Sequence, residues 1–286
     1  MEAVLSPHSV SDDRSSIEMT RSVFISDTHL GCSHAKARQL LEFLSAIKPR
    51  YLYIVGDFID GWELRKRWKW VVEFTDVLKY LARLSHQGCT VRYAIGNHDD
   101  FLRQDSLLTE LIRFGDVEIA EEFEHVTQDG RRFLVVHGDR FDEFSTSSAA
   151  FEWLTTVSYN ALLTGNDIWH RWFGGRYGIV SGRVKSSMRT MAAHVSRFRS
   201  RLCEHAQTMG CDGVICGHVH APEYSRQDAV EYVNTGDWLE NCTAVIERPC
   251  GQLELRYHHA TRRPSESLPD ERPSSVVEPA ISQRVA

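Results

Sequence analysis

The chain has 286 residues, of which 42% are hydrophobic, 10% aromatic and 25% charged. That composition excludes global disorder and admits one or two folded domains. A net charge of −6 excludes a uniformly basic nucleic-acid coat, and seven scattered cysteines with no CxxC pair argue against a disulfide framework or structural zinc. They read as reduced thiols of a cytoplasmic protein.

Residues 1–20 are polar and Ser-rich and predict a flexible tail, with neither a leader segment here nor a membrane span further on. β-Branched and aromatic runs then predict strands at 22–26, 51–55, 91–95 and 133–136, separated by helical spacing over 35–47, 71–87 and 102–113. The stretch 144–209 carries no strand signal. It predicts an inserted helical cap, with helices at 146–163 and 184–209 around a loop holding Gly174, Gly175 and Gly178. Strands resume at 213–216, 230–233, 243–247 and 253–257, and residues 261–286, with four of the eight prolines, predict a second tail. The folded domain is therefore expected over 21–260, as an α/β body that turns β-rich in its second half.

Chemistry falls directly after the strands. Asp27-Thr28-His29, Gly56-Asp57, Gly96-Asn97-His98-Asp99, His137-Gly138-Asp139 and Gly217-His218-Val219-His220 follow five of them in turn. In α/β sheets the carboxyl ends of the strands open into a crevice where the sheet fixes side-chain positions. Asp27, His29, Asp57, Asn97, His137, His218 and His220 mix oxygen and imidazole donors as a two-metal centre requires, and a carboxylate such as Asp57 can bridge two cations. Singly, each is an ordinary turn or polar residue. Five in order at successive strand ends mark one convergent site.

The run DTHLG, GDFID, GNHDD, VVHGD and GHVH resembles the calcineurin-like metallophosphoesterase superfamily. The resemblance implies a metallophosphoesterase β-sandwich flanked by helices. It also implies one metal held by Asp27, His29, Asp57 and His220 and a second by Asp57, Asn97, His137 and His218. Residues 56–62, GDFIDGW, the helical insertion, and Gly236-Asp237-Trp238 are similar to the UDP-2,3-diacylglucosamine pyrophosphatases of lipid A synthesis. That closer resemblance implies hydrolysis of UDP-2,3-diacylglucosamine, or a similar lipid-linked diphosphate, to UMP and a lipid monophosphate. His98 stands where those enzymes commonly carry arginine, as in the wider superfamily. A broader phosphomono- or phosphodiesterase acting on nucleotides therefore stays open.

His98 is placed by sequence to contact the phosphoryl group or protonate the leaving oxygen, with Asp99 as its orienting partner. Carboxylate and amide oxygens favour manganese for the two divalent ions, while four imidazoles would suit zinc or iron. Residues 168–203 hold eight basic side chains and no acid, which leaves −14 on the remainder. Arg171, Arg176, Arg183 and Lys185 in that stretch are the expected substrate contacts. With Trp169, Trp172 and Phe173 they also suit an anionic membrane surface, which places the protein peripherally on the cytoplasmic face of the inner membrane. A solvated basic helix face explains the same residues equally well. No stable nucleic-acid complex is expected.

Overall fold

The computed structural model describes residues 17–104, 117–142 and 182–258. The first sheet takes the strands β1 (Glu18–Ile25), β2 (Ile47–Val55), β3 (Thr90–Ala94) and β4 (Val117–Ala120) in parallel, then β10 (Thr243–Glu247) and β11 (Leu253–Tyr257) antiparallel, in the order β11-β10-β1-β2-β3-β4. The second sheet holds β5 (Glu122–Val126), β6 (Arg132–Val136), β7 (Gly213–Cys216), β8 (Glu223–Gln227) and β9 (Val230–Asn234), in the order β5-β6-β7-β9-β8 with β6, β7 and β9 parallel.

Because side chains alternate across a strand, each central strand buries both of its faces. Phe24, Tyr53, Val55, Phe133, Val135, Ile215, Val233 and Val245 meet between the two sheets. The alternate residues Val23, Ile25, Leu52 and Ile54 face α1 (Ala37–Ser45) and α3 (Val72–His86). On the far side Leu134, Val136, Val214 and Cys216 pack against Phe198, Leu202 and Ala206 of α5 (Gly182–Thr208). Two short helices, α2 (Gly61–Lys66) and α4 (Phe101–Gln104), lie in loops beside the site. The order of layers is helices, sheet, sheet, helix, which is the expected helix-flanked sandwich.

Three expectations change. β1 begins at Glu18, because residues 18–20 pair with 47–49 of β2, so the strand reaches into the expected tail. The last turns of the expected cap pack on the body: Phe198, Leu202, Cys203 and Ala206 are buried in the flank of the second sheet. Strands β4, β5 and β8 and helix α2 were absent from the sequence reading, and all three strands are sheet edges. The expected helix at 102–113 begins in α4, while its remainder from 105, the helix at 146–163 and the glycine-rich loop lie outside the described residues. Among the described residues no helix is long and apolar enough to cross a membrane.

Candidate metal centre

The loops that follow β1, β2, β3, β6 and β7 converge at one edge of the sandwich. Five of the seven expected ligands leave their strands with a left-handed backbone: Asp27 (φ 50°), His29 (46°), Asp57 (50°), His218 (70°) and His220 (50°). Such a conformation costs a non-glycine residue about 1–3 kcal/mol and persists only where the surroundings over-determine it. Here the determinants are visible. Asp27 Oδ2 accepts from Ser26 Oγ and from the His218 amide (3.1 Å), and Asp57 Oδ1 accepts from the His98 amide (2.8 Å). Gly96 has to lack a side chain, since a Cβ there would overlap the Asp57 carboxylate and amide.

The inner oxygens of the two aspartates then face ring nitrogens. Asp27 Oδ1 lies 3.1 Å from His220 Nε2 and 3.9 Å from His29 Nε2. Asp57 Oδ2 lies 3.3 Å from His137 Nε2, 3.8 Å from His29 Nε2 and 4.0 Å from His98 Nε2. Asn97 Oδ1 stands 3.3 Å from His137 Nε2. Ligand atoms of Asp27, His29 and His220 lie within 4.8 Å of one another, as do those of Asp27, Asp57 and His137. His218 is in neither group, but its ring packs edge-on against His137 at 5.2 Å between centroids.

This donor set fits two divalent cations. Asp27 Oδ1, Asp57 Oδ2 and His218 Nδ1 are buried and make no well-aligned hydrogen bond, a costly state for polar atoms unless a cation satisfies them. The electrostatics agree. Burial raises the Asp57 carboxyl, yet His137, His98 and His29 outweigh it and hold the group well below the usual range. Burial likewise raises Asp27, and His220 brings it down. In the reverse direction burial lowers His220, but Asp27 lifts it to about 9, and Asp57 lifts His137 well above the ordinary imidazole value. The carboxylates thus stay ionised, and the imidazoles that face them hold protons that a cation would displace.

The outward nitrogens are braced. His29 Nδ1 is 3.1 Å from Asp60 Oδ2, His98 Nδ1 is 3.0 Å from Asp60 Oδ1, His137 Nδ1 is 2.9 Å from the Val55 carbonyl and His218 Nε2 is 2.9 Å from Asp142 Oδ2. Such outer partners fix ring orientation and tautomer. Asp60 also caps α2 by accepting from the Glu63 amide at 2.8 Å.

Asp60 therefore takes the place expected of Asp99. The Asp99 carboxylate is committed to the amides of Ile59 (2.9 Å), Phe58 (3.2 Å) and Gly96 (3.3 Å), tying the loops after β2 and β3 together, and burial beside Asp57 raises it to about 6. Trp62 covers His98, with ring centroids 4.1 Å apart, whereas Trp70 packs on Phe74 and Trp68 is 75% exposed. Arg103 donates to the carbonyls of Ile95 and Gly96 and to Asp139, so it clamps the loop bearing Asn97 to the one bearing His137.

Of the expected substrate contacts, Arg171 and Arg176 lie outside the described residues. Arg183 and Lys185 fall in the first turns of α5, where side chains are not described. Further along α5, Arg199 is committed to Glu223 at 2.7 Å. Asp60, Asp142 and Arg103 were not singled out by sequence. The second aspartate of GDFID was the one available signal among them.

Residues 20–222 match the calcineurin-like phosphoesterase family. A UDP-2,3-diacylglucosamine hydrolase of Porphyromonas gingivalis is 30% identical over 244 residues, covering 76% of this chain and 89% of its own. One of Haemophilus influenzae is 23% identical over 239 residues, covering 80% of this chain and 95% of its own. A solved archaeal phosphodiesterase aligns over 82% of this chain and 98% of its own at 15% identity, with a TM-score of 0.41.

Proposed function

The chain belongs to the calcineurin-like phosphoesterase family and is a phosphoester-hydrolysing enzyme, and from that premise we propose that it cleaves the diphosphate of UDP-2,3-diacylglucosamine, or of a similar lipid-linked nucleotide, to UMP and a lipid monophosphate. The observation that carries the chemistry is the pair of buried aspartates with inner oxygens facing histidines from three other loops. The relatives named for that substrate, matched over most of their own length, support the specificity.

The residues that would hold two ions are Asp27, His29, Asp57 and His220 for one and Asp57, Asn97, His137 and His218 for the other. Bound there, the ions supply Lewis acidity toward the phosphoryl oxygens and acidify an attacking water. The chain supplies the rest. In the metal-free chain the surrounding imidazoles hold the Asp57 and Asp27 carboxyls down, so both are already ionised when the ions arrive. His98, with Asp57 and Asp60 raising it against the effect of burial, keeps a proton available to the leaving oxygen. Asp60 on one side and Trp62 on the other fix the plane of that ring.

Manganese is the proposed metal, on the oxygen-rich donor set. A peripheral site on the cytoplasmic membrane face is proposed as well, supported by exposed Trp68 among Arg65, Lys66, Arg67 and Lys69 and by the basic run at 168–203. The test is UMP release from UDP-2,3-diacylglucosamine by the purified, manganese-loaded chain beside a panel of soluble phosphomono- and phosphodiesters. Turnover confined to the soluble esters would overturn the substrate assignment and leave the hydrolase.

A further inference from the structure

We propose that Asp142 and His194 form a positioning relay that fixes His218 as a ligand of the second metal and makes helix α5 part of that metal's support. The inference rests on the two-metal reading above.

Asp142 closes the short 3-10 turn Asp139–Phe141 that follows His137 on the β6 loop, and its carboxylate is nearly inaccessible. One oxygen, Oδ2, lies 2.9 Å from His218 Nε2, and the other, Oδ1, lies 3.2 Å from His194 Nε2. An ionised carboxylate only accepts, so each of these two ring nitrogens carries a proton and donates it. For His218 the consequence is a single tautomer. Its proton is spent on Asp142, and Nδ1 is left with a bare lone pair, buried and without a hydrogen bond.

The brace differs from those of the other histidines. His29 is held by Asp60 and His137 by the Val55 carbonyl, both from loops and strands of the sandwich. The brace of His218 continues into α5, where His194 and Phe198 are one turn apart and so share a face. Phe198 is buried and its ring stands 5.7 Å from the His218 ring, while Leu202 and Ala206, further along, seat the helix on the second sheet. One face of α5 thus touches His218 twice, through Asp142 and through Phe198. The register of the helix on the sheet sets the direction of the Nδ1 lone pair.

The test is manganese titration of the metal-free chain by calorimetry, with paramagnetic resonance to distinguish a coupled pair from single ions. Wild type should take two ions. Asp142→Ala should keep one and bind the other about 10- to 100-fold more weakly, the usual effect of removing an outer partner, so that the coupled signal gives way to a mononuclear one at limiting metal. His194→Ala should weaken the same ion by less, and His194→Gln, which restores an amide donor to Asp142, should recover most of the loss. Arg199→Ala, which removes a partly exposed ion pair with Glu223 and leaves Phe198, Leu202 and Ala206 to seat α5, should leave both ions in place.

Wild-type binding of both ions by Asp142→Ala and His194→Ala would overturn the relay, as would an equal loss in Arg199→Ala. Should Asp142→Ala fail to fold, the His194 pair of variants decides alone. A wild-type chain that binds fewer than two ions overturns the two-metal reading itself, and the relay with it.

Discussion

Replacing Asp60 by asparagine probes the site without changing its shape. Asp60 is 3% exposed; its Oδ2 meets His29 Nδ1 at 3.1 Å, and its Oδ1 accepts from the Glu63 amide (2.8 Å) and stands 3.0 Å from His98 Nδ1. Burial raises this carboxyl, but the bonds from His29 and His98 outweigh it and keep it ionised at neutral pH. In Asp60→Asn the amide oxygen settles at the Oδ1 position, where two donors wait, and its NH2 meets the His29 Nδ1 proton. That proton moves to Nε2, the nitrogen that faces Asp27 and Asp57, and removes the lone pair a metal needs. A hydrogen bond to a charged group contributes about 1.5–3 kcal/mol, so the expected loss is about 10- to 150-fold in affinity for the first ion. Because the cap on α2 survives, the melting temperature should hold. Asp60→Ala would add the loss of that cap, about 1 kcal/mol. The assay is calorimetric metal binding, followed by turnover at saturating manganese, where any remaining deficit reports on His98. Wild-type metal affinity together with wild-type turnover in Asp60→Asn would mean that Asp60 does not set the tautomer of His29.

Gly96→Ala drives a methyl group into the Asp57 carboxylate. Both ions should weaken together, with about 1–3 kcal/mol of destabilisation read from a thermal melt. Because Asp27 lifts His220 to about 9, that imidazole is protonated at neutral pH in the metal-free chain and must release its proton to bind metal. Affinity should therefore rise as pH rises toward about 9, roughly tenfold per unit for one released proton. Calorimetry in buffers of different ionisation heat checks this, and a pH-independent affinity would contradict it. Far from the site, burial raises Glu247, but bonds from His125, Ser22 and the Gln128 amide bring it below its ordinary 4.5. A lowered carboxyl stabilises the fold above its unfolded value and loses that contribution as pH falls through the folded one. Acid titration of stability should accordingly be shallower in Glu247→Gln than in wild type.

The strand ends that carry the seven expected ligands are legible because each follows a strand of nearly continuous apolar residues, such as SVFIS before Asp27 and YLYIV before Gly56. A parallel strand buried on both faces announces itself in that way, and its carboxyl end fixes where the next side chain goes. Strands β5 and β8, EFEHV and EYSRQ, were not legible, since an edge strand pairs on one side and alternates with solvent. Asp142 meets His218 across 76 residues and Asp60 meets His98 across 38. No local spacing encodes such encounters, so the carboxylates that orient the imidazoles emerge only once the loops are in place. Helical periodicity located α5, but it did not show that Phe198 and Leu202 are buried in the body itself, because an amphipathic helix looks alike over any apolar surface.

Asp57 is the ligand that both proposed ions would share, so metal loading and hydrolysis should stand or fall with it. Manganese content and UMP release, measured side by side on wild type and Asp57→Ala, test it most directly. Two ions per chain with turnover are expected in wild type, and loss of both in the variant. An Asp57→Ala chain that still carried two ions and still released UMP would contradict it.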